Sequence, residues 1–271
     1  MKIEMKTSTA WFCMVACLCC PAFGVAADAS AAANPVPIFV ELFTAEGCSS
    51  CPPADQLLQK LDESQPTPGA QLIVLSEHVT YWDQLGWKDP NSSSYVTDRQ
   101  AAYAARFGLK SPYTPEMVVD GTTEFVGNDA RLAGQAIEKA LHDEKVQVRL
   151  SSIALDSPGK LRAQVAVEAL AKNPGADVYL VVALNRADSQ VERGENKGRH
   201  LQHVAVAQSI TRVGSVDQTH NFAKAVEVRL DRHVDPSNLR VIAFVQRHGS
   251  DPVMGATMSR VPGASVQSAA R

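Results

Sequence analysis

Gly47-Cys48-Ser49-Ser50-Cys51-Pro52-Pro53 holds the last two cysteines of a 271-residue chain. The other four, Cys13, Cys17, Cys19 and Cys20, lie in an apolar N-terminal stretch. If that stretch is removed, Cys48 and Cys51 are the whole thiol inventory of the mature protein. The pair sits between a β-rich run over residues 36–43 and a helix-like run over 49–61, where Leu57, Leu58 and Leu61 share a face. A Cys-x-x-Cys at such a junction is what thiol–disulfide chemistry requires. Unpaired amides at a helix N-terminus stabilise a thiolate, so Cys48 is expected to be the exposed attacking thiol and Cys51 the resolving one. Pro52 and Pro53 suit a first helical turn, where amide hydrogens have no intrahelical partner.

Residues 1–27 read as a secretory signal: Lys2 and Lys6 precede an apolar core from Trp11 to Cys20, and Val25-Ala26-Ala27 offers a cleavage site. The apolar core is short for a bilayer span, which needs about 20 residues. Export places the protein in the periplasm or outside the cell, in an oxidising compartment. There a disulfide that closes only a two-residue spacer gains little as a staple, which favours reversible redox work. A net charge of −3 offers no basic field for nucleic acid, and no later segment is apolar enough to span a membrane.

A short linker, residues 28–35, leads into alternating strand-like and helix-like runs over 36–145. Residues 72–75 form a continuous apolar strand. Ser92-Ser93-Ser94 offers N-cap hydroxyls for a helix ending at Gly108. Asp120-Gly121 between apolar runs signals a hairpin, and Asp129 caps a last helix. The order is β-α-β-α-β-β-α. From Val146 the pattern becomes strands only, which predicts a β-sandwich over 146–262 and a tail over 263–271.

The β-α-β-α-β-β-α order with Cys48 and Cys51 at a helix start resembles the thioredoxin fold, as does Thr114-Pro115-Glu116-Met117-Val118-Val119-Asp120-Gly121. The resemblance implies an α/β thioredoxin-like domain followed by the β-sandwich. It makes Pro115 a cis-proline facing the cysteines and Thr114 a backbone contact for substrate. A closer resemblance is carried by Val40-Glu41-Leu42-Phe43-Thr44, the cysteine segment, His78-Val79, Tyr81-Trp82-Asp83, Leu85-Gly86-Trp87-Lys88-Asp89-Pro90, Arg99-Gln100 and Tyr103. Tyr113-Thr114-Pro115, Arg193-Gly194-Glu195-Asn196, Gly198-Arg199, Leu201 and His203 extend it. These residues resemble a secreted family catalogued as domain of unknown function 1223. Glu46 departs from the family's neutral residue, and a carboxylate close to Cys48 disfavours its thiolate. Thr80 replaces an Asp often found there.

Glu41 is either a buried proton relay for Cys51 or a structural carboxylate held by backbone amides. His78, Trp82 and Trp87 either wall a substrate pocket beside Cys48 or form a self-packed loop. The loop from Gly194 to His200 is either a plain inter-strand connection or a return to the redox site, bringing Asn196, Arg199 and His203 to substrate. The leading function is an exported thiol–disulfide oxidoreductase acting on protein thiols or disulfides. It needs no cofactor beyond its own Cys48–Cys51 pair. Two other readings stay open: a non-catalytic binding protein, and a copper chaperone using Cys48, Cys51 and His78.

Overall fold

Pro52 and Pro53 donate no amide hydrogens, and a helix begins on them: α1 spans Pro52–Ser64, with Cys51 as its N-cap. It follows β1 (Val36–Thr44) and precedes β2 (Ala70–His78), α2 (Ser94–Phe107), β3 (Glu116–Val119), β4 (Thr123–Val126) and α3 (Ala130–Ala140). The structure, a computed structural model, describes residues 34–156, 159–170, 175–230, 234–249 and 252–261, with Met1 and Glu4. Most of the secretory segment, most of the linker and the tail from 263 lie outside the described residues. Local chemistry explains the element ends. Gly108 closes α2 in the left-handed region, and the Asp129 carboxylate accepts from the amides of Arg131 and Leu132 at the start of α3. Asp120 and Gly121 both have positive φ, as a tight hairpin between β3 and β4 requires.

The second half supplies β5 (Val148–Asp156), β6 (Lys160–Val167), β7 (Ala176–Gln190), β8 (His200–Val216), β9 (Phe222–Arg229), β10 (Leu239–Arg247) and β11 (Val253–Arg260). These strands correct the expected architecture. The protein is not a thioredoxin-like α/β domain followed by a separate sandwich. One mixed sheet of eight strands runs through both halves in the order β11-β10-β7-β8-β2-β1-β3-β4, beside a three-stranded sheet β5-β6-β9. The join is β8 lying parallel to β2, with Ser76 opposite Val206. From Leu72 to His78 every residue of β2 is buried. An apolar strand of that kind makes a poor free edge, and β8 covers it.

The sheet curls strongly. Laid flat, β10 and β1 would lie about 19 Å apart, four strand spacings of about 4.8 Å. Instead Phe39 of β1 stacks on Phe244 of β10 with ring centroids 4.8 Å apart. Val253 at the start of β11 donates its amide to the Asp120 carbonyl at 2.8 Å. The curl encloses Phe39, Ile73, Leu75, Val181, Ile242 and Phe244. On one face of the sheet α1 and α3 bury Leu58, Leu61 and Ile137 against Val40, Leu42 and Val74. The three-stranded sheet packs Leu161 and Val165 against Val178, Leu180 and Val241. Among the described residues no helix is long and apolar enough to cross a membrane.

Candidate functional site

Beyond Thr44, at the end of β1, the chain turns twice before α1. The Cys48 amide donates to the Ala45 carbonyl, and the Cys51 amide to the Cys48 carbonyl. This brings the two Cα atoms to 5.4 Å, and the sulfurs are joined as a disulfide. Both cysteines are 0% exposed. That departs from the exposed Cys48 expected from its position, and the cause is tertiary. The sulfurs lie in a cluster with Phe43, Val79, Val96, Tyr103 and Val118, and Tyr81 and Trp82 pack against it.

Trp82 lies across the opening. Its Cβ would be 3.3 Å from a side chain placed on Gly47, while its indole nitrogen donates to Thr114 Oγ1 at 2.8 Å. Any larger residue at 47 would press on the Trp82 Cβ and backbone oxygen. The Thr114–Pro115 peptide is cis. A methyl placed on Gly127 would sit 3.3 Å from both Ala54 Cβ and Pro115 Cβ, so the start of β3 abuts the first turn of α1. Thr114, Pro115 and Trp82 are therefore gathered around the cysteine turn.

A second cover comes from far along the chain. Residues 191–199 form the tip of the β7–β8 hairpin, closed by bonds between Gly198 N and Val191 O and between Val191 N and Arg199 O. From this tip Asn196 Nδ2 donates to the carbonyls of Glu46 and Cys48 at 2.8 and 2.9 Å. Glu195 Oε2 accepts from the Ser49 amide and hydroxyl at 3.1 and 2.6 Å, which holds its carboxyl below the usual range. The loop is thus both an inter-strand connection and a strap over the cysteine turn; Arg199 stays exposed. With two hydrogen bonds lost at about 1 kcal/mol each, Asn196→Ala should open the strap about thirtyfold more often. Reduction of the disulfide by dithiothreitol, followed by thiol release, should quicken by a similar factor. An unchanged rate would mean that the strap does not limit access.

Charged groups surround the turn. Glu46 Oε2 accepts from Trp87 Nε1 at 2.7 Å and from Ser189 Oγ at 3.0 Å. His203 of β8 lies with Nε2 3.6 Å from Glu46 Oε1 and Nδ1 3.7 Å from Asp55 Oδ1. Burial alone would lower the His203 pKa, but the carboxylates of Asp55 and Glu46 push it up to about 10. His78 is buried, with Nδ1 2.7 Å from Asp89 Oδ2, which also accepts from the Glu46 amide. Burial would raise the Asp89 carboxyl, but His78 and these bonds hold it below its ordinary value. His78, through Asp89, and Trp87 therefore tie down Glu46 at the turn, while Trp82 packs against Gly47 and the cysteine cluster.

Both Glu41 oxygens are engaged by side chains: Oε1 accepts from Arg99 Nε at 2.7 Å and Oε2 from the Tyr103 hydroxyl at 2.8 Å. Arg99 also donates to Gln246 of β10 at 2.9 Å and lies 3.7 Å from Glu77. Burial first, then the Glu41 charge, keeps Glu77 protonated well above the usual range, with Arg99 opposing. Burial raises Glu116 to about 7, against a hydrogen bond from Gln100. Glu41 and Glu77 thus share one guanidinium, while Glu116 is held by Gln100. Sequence reasoning passed over Glu77 and Glu116, although a Glu inside an apolar strand run is itself a signal of a buried network. Among the described residues no group of three or more His, Cys, Asp or Glu side chains is placed to hold a metal ion.

Comparison with curated proteins finds no match. Among solved structures, the chain is similar to a structural-genomics protein of Agrobacterium tumefaciens. That match has a TM-score of 0.61 at 24% identity, over 88% of this chain and 99% of the other. It runs through both halves and speaks for the fold alone. A domain of the outer membrane lipoprotein Omp28 from Porphyromonas gingivalis matches 44% of this chain and 90% of its own length, at 12% identity and a TM-score of 0.30. The family model described as protein of unknown function (DUF1223) matches residues 39–246, most of the chain, and the chain belongs to that family.

Proposed function

We propose that this protein is an exported thiol–disulfide oxidoreductase whose Cys48–Cys51 pair exchanges with cysteines of partner proteins in the periplasm or outside the cell. The observation that carries the reading is a disulfide closing only a two-residue spacer, set immediately before α1. Such a bond constrains the unfolded chain little, so its value lies in being made and broken.

When the strap opens, a partner thiolate attacks Cys48 Sγ. The Cys48–Cys51 bond breaks, and Cys51 leaves as a thiolate that takes up a proton. A second partner thiolate then attacks the mixed disulfide and releases Cys48. The partner loses two electrons and two protons to become a disulfide, and the pair gains both. The reverse sequence reduces a partner disulfide. Thr114 offers backbone groups to align the partner chain, and Trp82 is displaced or packs on it.

Cys51→Ala removes the resolving thiol, and the lost two-residue loop costs little stability. In the exported fraction this variant should accumulate mixed disulfides on Cys48, seen on non-reducing gels and abolished by added thiol. The variant lacking both cysteines should show none. Absence of adducts with Cys51→Ala, while the folded protein is present, would remove the oxidoreductase reading. A partner retained through both changes would point to non-covalent binding instead.

A further inference from the structure

Two buried carboxylates flank the cysteine pair in the sequence. Glu46 stands two residues before Cys48 and is 0% exposed; Asp55 stands four after Cys51 and is 6% exposed. An uncompensated negative charge on either side opposes a thiolate between them. For a protein that works through a Cys48 thiolate this would be a defect. Glu46 Oε1 and Asp55 Oδ1 have no hydrogen-bond partner among the described residues, and neither does either ring nitrogen of His203. All four atoms face one another, at 3.6 and 3.7 Å. Charge therefore holds this group together, with the imidazole seated between the two acids.

The surroundings favour a ring that is charged at neutral pH. Glu46 approaches from the turn after β1 and Asp55 from the first turn of α1. His78 of β2 lies edge-on, with centroids 4.6 Å apart, and its own Nδ1 is taken by Asp89. No other basic side chain is paired with Glu46 or Asp55 among the described ion pairs. The raised His203 pKa agrees with this placement.

We propose that His203, delivered by β8, is a positioning residue for the redox pair: its positive charge offsets one of the two negative charges of Glu46 and Asp55 and so eases the ionisation of Cys48 when the disulfide is reduced. This rests on the oxidoreductase reading and adds a role for the second half of the chain, which carries the compensating charge to the turn. In the reaction tested, a dithiol such as dithiothreitol reduces the Cys48–Cys51 bond. It becomes a cyclic disulfide as two electrons and two protons pass to the cysteines. Cys48 then loses its proton to solvent, and His203 itself neither gains nor gives one.

The test is the pH profile of iodoacetamide alkylation of Cys48 in the reduced, purified mature protein. His203→Gln should raise the Cys48 pKa by about one unit or more, which slows alkylation about tenfold at neutral pH. Glu46→Gln should lower it, because His203 then faces one carboxylate instead of two. The double variant should return most of the way to the parent, a rescue that a merely structural role would not produce. If His203→Gln does not fold, the downward shift in Glu46→Gln carries the test alone. A Cys48 pKa unchanged in His203→Gln, or raised in Glu46→Gln, overturns the proposal. These readings need no partner protein, so they are distinct from a failure of Cys51→Ala to trap one.

Discussion

Arg99→Met should lower the unfolding free energy by about 3–5 kcal/mol at neutral pH, the range seen when one member of a buried ion pair is removed. For a protein of this size that corresponds to a fall in Tm of about 6–10 °C. Arg99 is 7% exposed and holds Glu41 of β1 by Nε and Gln246 of β10 by Nη1, while its guanidinium stacks over Phe244. Methionine fills the volume but supplies no donor, leaving Glu41 dependent on the Tyr103 hydroxyl. Chemical denaturation at neutral pH would measure the effect. A loss below about 1 kcal/mol would show that the guanidinium does not hold the two halves of the sheet together.

Thermal stability should be greatest near pH 5 and fall steadily toward pH 9 or 10. The sign follows from four buried groups. Burial raises Asp120 to about 6, against the opposing Lys145, and Glu116 to about 7; Glu77 is raised as well. Each binds its proton more tightly folded than unfolded, so stability declines as pH climbs from the ordinary carboxylate range through these values. Glu116 alone accounts for about 3 kcal/mol of that decline. His203 acts in the same direction over the next window. Its ion pairs contribute fully below about 6.5, and the contribution is lost as pH rises toward about 10. Asp89, held below its ordinary value, loses its contribution only on the acid side. Tm should therefore drop by about 10 °C or more between pH 5 and pH 9. Glu116→Gln should flatten the part of the slope below pH 7. A Tm that stays level or rises over this interval would contradict the assignment of these carboxyls as buried and protonated.

The amino-acid sequence by itself determined the local elements around the site. Proline pairs, glycine stops, an Asp cap and the 2.0 and 3.6 periodicities act between residues a few positions apart, so they can be read without knowing the fold. That is why β1, the cysteine turn, α1 and the Asp120-Gly121 hairpin lie close to where their patterns put them. The cysteine spacing likewise specified the disulfide. Tertiary structure decided which edge β8 would take, and a local pattern carries no information on that choice. An apolar strand such as β2 can accept any compatible neighbour, and here Val206 meets Ser76. From that single pairing followed the burial of Cys48 beneath the hairpin tip, the seat of His203 between Glu46 and Asp55, and the curl that brings Gln246 to Arg99. Strand pairing is a competition among distant edges settled by burial and hydrogen-bond satisfaction together, and only the folded chain resolves it.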